Sequence, residues 1–172
     1  MTTSQDSNVA ESVGLADPTE QRANCGVGAV VDLDGDHSHR TVADALELLE
    51  NLEHRGTTGA EKDTGDGAGI MIQRPDEFFT GVLEADLPEE YAVGSLFLPQ
   101  DEAARHALID CFEDVVAEYG LEAFAWREVP TDNEGLGQTA LDSEPDVRQV
   151  FVRRAEEMDP AEFDRRLYVT RR

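Results

Sequence analysis

Short apolar runs that are rich in β-branched or aromatic residues predict strands along this chain. The first run, GVGAVVD at residues 26–32, ends at the turn Asp34-Gly35. Similar runs recur further along, at residues 68–73, 91–98, 124–126 and 150–152. The chain therefore holds enough strand-forming segments to build a sheet.

Helical spacing of apolar residues separates several of these runs. The predicted helices begin at Thr41, Pro75, Asp101 and Pro160. The first helix is expected to end near Glu53. The longest helix ends before Gly120, because glycine is favoured in the position that follows a helix. Strands and helices in this order, with no internal repeat, predict an α+β layered domain.

Acidic residues dominate the charge, since 38 Asp and Glu against 14 Lys and Arg give a formal net charge of −24. Phosphates and anionic lipids are bound through Lys and Arg, so this composition argues against nucleic-acid and membrane partners. The composition fits a cytoplasmic protein of an extreme halophile, because charges are screened within about 3 Å at 1 M salt. An ordinary acidic protein of a low-salt cytosol remains the alternative.

The first two dozen residues differ from the rest of the chain. They are polar, contain no aromatic residue, are interrupted at Pro18 and lack the basic and apolar parts of a secretory signal. No stretch of eighteen apolar residues follows that would span a membrane. We therefore expect a leader at residues 1–24 and one domain at residues 25–172.

The two cysteines are too few for a disulfide framework and have no metal-binding spacing, so no metal site is predicted. Cys111 falls on the apolar side of the longest predicted helix and is expected to be a core thiol. Cys25 lies where the leader meets the first strand. If the Asn24–Cys25 bond is cut, the new α-amine, with a pKa of about 7.7–8.0, can act as general base for the thiol. The alternative is a half-buried structural cysteine.

Three segments carry recognisable motifs: NCGVGAVV at residues 24–31, HRGTTGAEKDTGDGAGIMIQRPDEFF at 54–79, and FAWREVPTDNEGLGQTALDSEPDVRQVFVRR at 124–154. They resemble the N-terminal glutaminase region of the glutamate synthase large subunit, which is a class II glutamine amidotransferase. The Cys-Gly start and His54-Arg55-Gly56 are shared by class II amidotransferases in general. The TGDGAG and WREVP strings are particular to glutamate synthase.

The resemblance implies an N-terminal nucleophile hydrolase fold, a four-layer αββα sandwich that is incomplete here. It also implies that the leader is removed and that Cys25 is the nucleophile that attacks the side-chain amide of glutamine. Arg55 and Gly56 match a loop near the active site and are candidate substrate-binding residues, their alternative role being to shape that loop. Arg55 suits a carboxylate. Trp126 and Arg127 are expected to be structural, with the indole N–H bonded to a partner.

In relatives the glutaminase domain continues past the position of Arg172. Its later part supplies an arginine that grips the substrate carboxylate and an Asn-Gly pair that forms the oxyanion hole. Neither has a match in this chain, so we expect the chain to be incomplete as an enzyme.

The synthase region of the family, with its FMN and iron–sulfur cluster, also has no counterpart here. No cofactor is therefore expected in this chain, and the remainder of glutamate synthase is a candidate partner as a separate chain. Two functions remain open: the first part of a glutaminase, or a non-catalytic fragment or regulatory binding module that kept the first half of the fold.

Overall fold

The structure is a computed structural model that describes residues 26–52, 61, 63–65, 67–155 and 157–172. The chain divides into two compact units. The described part of the first unit is residues 26–52 and 67–69, and the described part of the second is residue 61, residues 63–65, 70–155 and 157–172. The helices and strands are α1 (His39–Asn51), α2 (Asp76–Val82), β1 (Ala92–Leu98), α3 (Glu102–Glu118), β2 (Leu121–Glu128), α4 (Gln138–Asp142), β3 (Asp146–Arg154) and α5 (Pro160–Thr170).

The second unit is built on an antiparallel sheet of three strands in the order β1-β3-β2. In the central strand β3, Phe151 pairs with Val93 of β1 on one side and with Ala125 of β2 on the other. The pairing of β2 with β3 shifts register between Ala123 and Ala125, which marks a β-bulge. The predicted α+β fold class is confirmed at this level.

Helices cover both faces of this sheet. Successive residues of β3 point to opposite faces, so each face presents apolar side chains against which a helix can pack. Val150 and Val152 pack in one cluster with Val116 of α3 and Phe163 of α5. Phe151 points the other way and packs against Phe79 of α2. The centre of β3 is therefore the most buried part of the second unit.

The predicted ends of the long helix are confirmed. The Asp101 carboxylate accepts a hydrogen bond from the Ala104 backbone N–H at 2.8 Å and so caps the start of α3. Gly120, just past its end, has φ +68°, a conformation that costs glycine little. Asp159 caps α5 in the same way as Asp101 caps α3, by accepting from the Glu162 N–H at 2.9 Å.

Both strand predictions in the N-terminal part are wrong. Residues 26–32 and 68–73 have no regular secondary structure. Residues 26–32 make no backbone hydrogen bond to another strand among the described residues, and many of their apolar side chains are exposed. An apolar run becomes a strand only when neighbouring backbone satisfies its N–H and C=O groups.

Two further predictions need correction, and one helix was not predicted. Helix α1 begins at His39 with Ser38 as its N-cap, so Thr41 lies inside the helix and not at its start. Cys111 is exposed, because the inward side of α3 is formed by Phe112 and Val116, one turn apart. The short helix α4 was not predicted from the sequence.

Candidate functional site

The residues predicted to carry the chemistry lie outside the described residues. This holds for Cys25, for Arg55 and Gly56, and for the neighbouring His54. The structure does describe the segments next to them in the chain. These are the run that follows Cys25, helix α1, and the Thr64-Gly65 part of the TGDG string.

In the first unit, the run that follows Cys25 lies against helix α1. A Cβ atom placed on Gly28 would lie 2.5 Å and 2.6 Å from the two terminal carbons of Leu48. Such distances are shorter than any normal carbon contact, so a larger residue at position 28 would force the end of the Leu48 side chain to move. Leu48 lies on the last full turn of α1 before the C-cap Leu52. The residues after the candidate nucleophile are therefore packed near the end of the helix that leads to the HRG string.

In the second unit, the start of the TGDG string is tied to the turn before α4. The Glu61 carboxylate accepts hydrogen bonds from the Thr64 hydroxyl at 2.8 Å and from the Thr139 backbone N–H at 3.1 Å. The Gly137 N–H donates to the Asp63 carbonyl at 2.8 Å. The Thr139 N–H, followed by the Thr64 hydroxyl, lowers the pKa of Glu61, because both donors favour the charged carboxylate.

A second polar cluster follows the predicted run at residues 68–73. Arg74 donates to the Asp76 carboxylate at 2.6 Å and to the Tyr91 backbone carbonyl at 2.7 Å, and its guanidinium lies 4.0 Å from the Tyr91 ring centroid. The Tyr91 hydroxyl donates to Asp76 at 2.5 Å. Burial, reinforced by Asp76, raises the pKa of Tyr91 to about 12, so the phenol stays protonated near neutral pH. This cluster joins the chain before α2 to the start of β1.

Trp126 and Arg127 have the structural roles predicted for them. The Trp126 indole N–H donates to the Glu113 carboxylate at 2.7 Å, and its ring meets Phe112 edge to face. Arg127 donates to the Gln149 side-chain carbonyl at 3.0 Å. The two side chains therefore connect β2 to α3 and to β3, respectively.

The donor groups of the chain do not fit the cofactors of the wider family. Iron–sulfur clusters are held by several Cys thiolates, and the chain has two cysteines far apart in sequence. No group of three or more His, Cys, Asp or Glu among the described residues is placed to hold a metal ion.

No described helix has both the length and the apolar character needed to cross a bilayer.

The sequence pattern does not predict the Glu61 contact. Glu61 and Thr139 are 78 residues apart, so no local pattern connects them. The spacing of Glu61 and Thr64 resembles that of many surface turns. Only folding brings the second and third motif segments together at this point.

Comparison with known proteins gives a consistent set of relatives. The Schizosaccharomyces pombe NADH glutamate synthase is 41% identical over 170 residues, which cover 92% of this chain and 8% of that protein. The large chain of the Bacillus subtilis NADPH glutamate synthase is 37% identical, over 92% of this chain and 11% of its own length. Ferredoxin-dependent glutamate synthase 1 of Arabidopsis thaliana is 36% identical, with 92% and 10% covered.

The chain thus spans about a tenth of the length of these relatives. A family profile described as glutamine amidotransferases class-II matches residues 25–172. That match covers most of the chain and includes the three motif segments except for Asn24. This chain belongs to the class-II glutamine amidotransferases.

Proposed function

We propose that this chain is the first part of a glutaminase whose nucleophile is Cys25. The observation that carries the proposal is the family match, which begins at residue 25 and so at the cysteine itself. In this proposal residues 1–24 are a leader, and residues 25–172 are the N-terminal part of the amidotransferase domain. Removal of the leader frees the α-amine that the reaction uses.

In the proposed reaction the α-amine of Cys25 takes the thiol proton, and the thiolate attacks the side-chain carbonyl carbon of glutamine. The amine then returns the proton to the leaving nitrogen, ammonia departs, and a thioester remains. Water hydrolyses the thioester to glutamate and restores the thiol. An α-amine pKa of about 7.7–8.0 suits both proton transfers near neutral pH.

The substrate-binding part of the proposal rests on how close the two motif segments come along the chain. Cys25 precedes Gly28 by three residues, and Arg55 follows the end of α1 by four. Gly28 approaches the Leu48 side chain of α1, so the described stretches of chain next to the two residues are in contact with each other. In this proposal Arg55 binds the carboxylate of glutamine through two parallel hydrogen bonds, and the backbone of Gly56 lies close to the same carboxylate.

For the fold, we propose that the described elements belong to a four-layer αββα sandwich. Two observations support this. Apolar side chains at 27–33 and 70–72 are exposed, and β1 and β2 each pair on one side only within the described sheet. Additional strands would cover the exposed apolar runs and would pair with the open edges of the sheet. The remainder of a glutamate synthase is the partner, and the FMN and iron–sulfur cluster would lie there.

The nucleophile is tested on the natively produced protein by intact mass, N-terminal sequencing and labelling with a glutamine-like electrophile. We expect a mature chain that starts at Cys25, with one label that Cys25→Ser abolishes. Cys111→Ser is the matched control, because Cys111 is an exposed thiol on α3, and a label that its removal leaves unchanged is specific to Cys25. Retention of the leader together with an unlabelled Cys25 would defeat the enzyme proposal and favour a binding module.

We also propose that the acidic surface is an adaptation to concentrated salt in the cytoplasm. The chain has 38 carboxylates against 14 basic groups, and at 0.1 M salt the carboxylates repel one another over about 10 Å, against about 3 Å at 1 M. We expect the unfolding temperature, followed by circular dichroism, to rise steeply with potassium chloride. A protein that is equally stable without added salt contradicts this proposal.

A further inference from the structure

The sheet of the second unit has two outer strands, and their compositions differ. Among the described residues, β1 and β2 each pair with β3 alone. The sequence of β1 is AVGSLFL and contains no charged residue. The sequence of β2 is LEAFAWRE and contains three, Glu122, Arg127 and Glu128. Strands that stay at the edge of a sheet usually carry charges that prevent further pairing, so β1 has the composition of an interior strand.

The hydrogen-bond pattern shows which backbone groups of β1 point away from the sheet. The Val147 carbonyl of β3 accepts from the N–H of Val129, just past β2, at 3.0 Å, so Val147 points toward β2. Successive residues of a strand point their N–H and C=O groups to opposite sides, so Val150 points toward β1, where it pairs with Gly94. The alternate residues of β1 point their N–H and C=O groups outward, and these are Val93, Ser95 and Phe97.

The outer side of β1 lacks a neighbouring strand in its side chains as well. Phe97 is 72% exposed and Ser95 is exposed, whereas Leu98 is buried and Leu96 packs against the core cluster. In the part of the chain that the structure describes, no backbone hydrogen bond reaches the outward groups of these residues. A neighbouring strand would satisfy these groups and place side chains beside Phe97.

The order of the elements indicates where such a strand comes from. β1 and β2 both run antiparallel to β3, so they are parallel to each other, and the chain passes from one to the other through α3. After β3 the chain enters α5, which packs on the same face of the sheet as α3, because Val116 and Phe163 belong to one cluster. Crossovers between parallel strands almost always have the same hand. Because β3 runs opposite to β1, a crossover through α5 moves in the opposite direction across the sheet and ends at the open side of β1.

Polar contacts hold α5 against α3. The Arg166 guanidinium donates to the carbonyl of Tyr119, the C-cap of α3, at 2.8 Å. The same guanidinium donates to the Glu162 carboxylate, one turn earlier on α5, at 2.8 Å. The position of α5 on this face is therefore fixed by hydrogen bonds as well as by the packing of Phe163.

We propose that the open side of β1 binds a fourth strand, supplied by the stretch of a glutamate synthase that follows the position of α5. This strand runs parallel to β3 and antiparallel to β1, and β1 then lies between it and β3. The relatives have chain to supply it, since the match covers only 8–11% of their length. The inference rests on the proposed partner, the remainder of a glutamate synthase, and does not depend on catalysis by Cys25.

The experiment compares two proteins in concentrated potassium chloride by amide hydrogen exchange, followed by NMR. The first is this chain. The second is the same chain extended after Arg172 by about 20 residues, which is enough for a turn and one strand. The added residues are those that follow the matched region in the large chain of the Bacillus subtilis NADPH glutamate synthase. The matched control carries the same added residues in scrambled order.

We expect the extension to slow exchange on the order of tenfold at the outward amides of β1, because each gains a hydrogen bond. These amides are those of Val93, Ser95 and Phe97. The Gly94 amide, which already faces β3, and the Glu128 amide, which points outward from β2, should change much less. Slowing at Glu128 in place of β1, no slowing, or equal slowing with the scrambled extension would overturn the proposal.

A proline variant tests the same edge. Ser95→Pro removes one outward N–H and leaves the bonds of its neighbours to β3, so in the extended protein it should return exchange at Val93 and Phe97 toward that of the unextended chain. Glu128→Pro is the matched control, since it removes an outward N–H from β2 and should leave that exchange slow. Circular dichroism checks that both variants fold.

The direction of the added strand is tested without any substitution. An antiparallel pair brings Hα protons of opposite residues close together, so nuclear Overhauser effects should join the Hα protons of the extension to those of β1. A parallel pattern would contradict the crossover through α5.

A second copy of this chain is the other occupant that the open side of β1 could take. A dimer of the unextended chain in sedimentation, with the outward amides of β1 already slow to exchange, would assign this edge to the second copy and overturn the proposal. Labelling of Cys25 is scored separately. An unlabelled Cys25 together with slowed β1 amides would defeat the glutaminase alone, and a labelled Cys25 with unchanged β1 amides would defeat the fourth strand alone.

Discussion

The run after Cys25 and strand β3 have similar sequences but differ in structure. Both are rich in valine and lie between polar residues. In β3, Val150, Phe151 and Val152 are exposed by 1%, 0% and 4%. In the first unit, Val27 and Val31 are exposed by 92% and 74%. A valine-rich run is therefore not enough by itself to lead to burial.

The difference lies in what surrounds each run. β3 is hydrogen-bonded to a strand on each side and covered by helices on both faces, so its backbone groups are satisfied and its side chains leave water. Residues 26–32 pair with no strand among the described residues. Full burial of one large apolar side chain contributes about 1.5–3 kcal/mol. The second unit has this contribution many times over, and its folding free energy should depend on it.

The largest expected effect comes from the centre of that core. Phe151→Ala should lower the free energy of unfolding by about 3–5 kcal/mol, because it leaves a cavity between β3 and α2. Phe97→Ala is the matched control, since Phe97 lies on β1 of the same sheet but is 72% exposed. Urea unfolding in concentrated potassium chloride measures both. Similar losses for the two variants would show that the described burial is not what stabilises the unit.

A smaller effect is expected at the hydrogen bond that joins Tyr91 to Asp76. Tyr91→Phe removes the hydroxyl and should cost about 1–2 kcal/mol at neutral pH. Folding raises the pKa of the Tyr91 hydroxyl from the ordinary value of 10.0 to about 12. The stability linked to this raised pKa is complete below pH 10 and is lost as the pH rises toward 12. The free energy of unfolding, measured from pH 9 to 12, should therefore fall less steeply with pH in Tyr91→Phe than in the wild type.

The smallest effect concerns the first unit. Gly28→Ala places a methyl group against Leu48 and should cost about 1 kcal/mol, since the end of the leucine side chain can partly move aside. Gly67→Ala, in the same unit, meets no atom within 4 Å and should be nearly neutral. The double variant Gly28→Ala/Leu48→Ala should behave like Leu48→Ala alone. If Gly28→Ala is also neutral, the contact between Gly28 and α1 is not maintained in solution.

Local features were predicted well because their causes are local. Asp101 caps α3 by bonding a backbone group three residues away, and Gly120 ends it by adopting a positive φ. The alternation along residues 150–152 also predicts β3, since each residue responds to its own neighbours. The prediction of a strand at 26–32 was wrong because a strand needs hydrogen-bond partners from other parts of the chain, which its own sequence does not contain. The prediction that Cys111 is a core thiol was wrong because Phe112 and Val116 form the inward side of α3.

The sequence by itself determined the family, the candidate nucleophile Cys25 and the starts and ends of most helices and strands in the second unit. These depend on residue identity, on short spacings and on motifs that are read along the chain. Tertiary structure alone decided which apolar runs are buried, and it alone joined Glu61 to Thr139 across 78 residues. Burial and long-range hydrogen bonds depend on which surfaces meet after folding, and no short stretch of sequence contains that information.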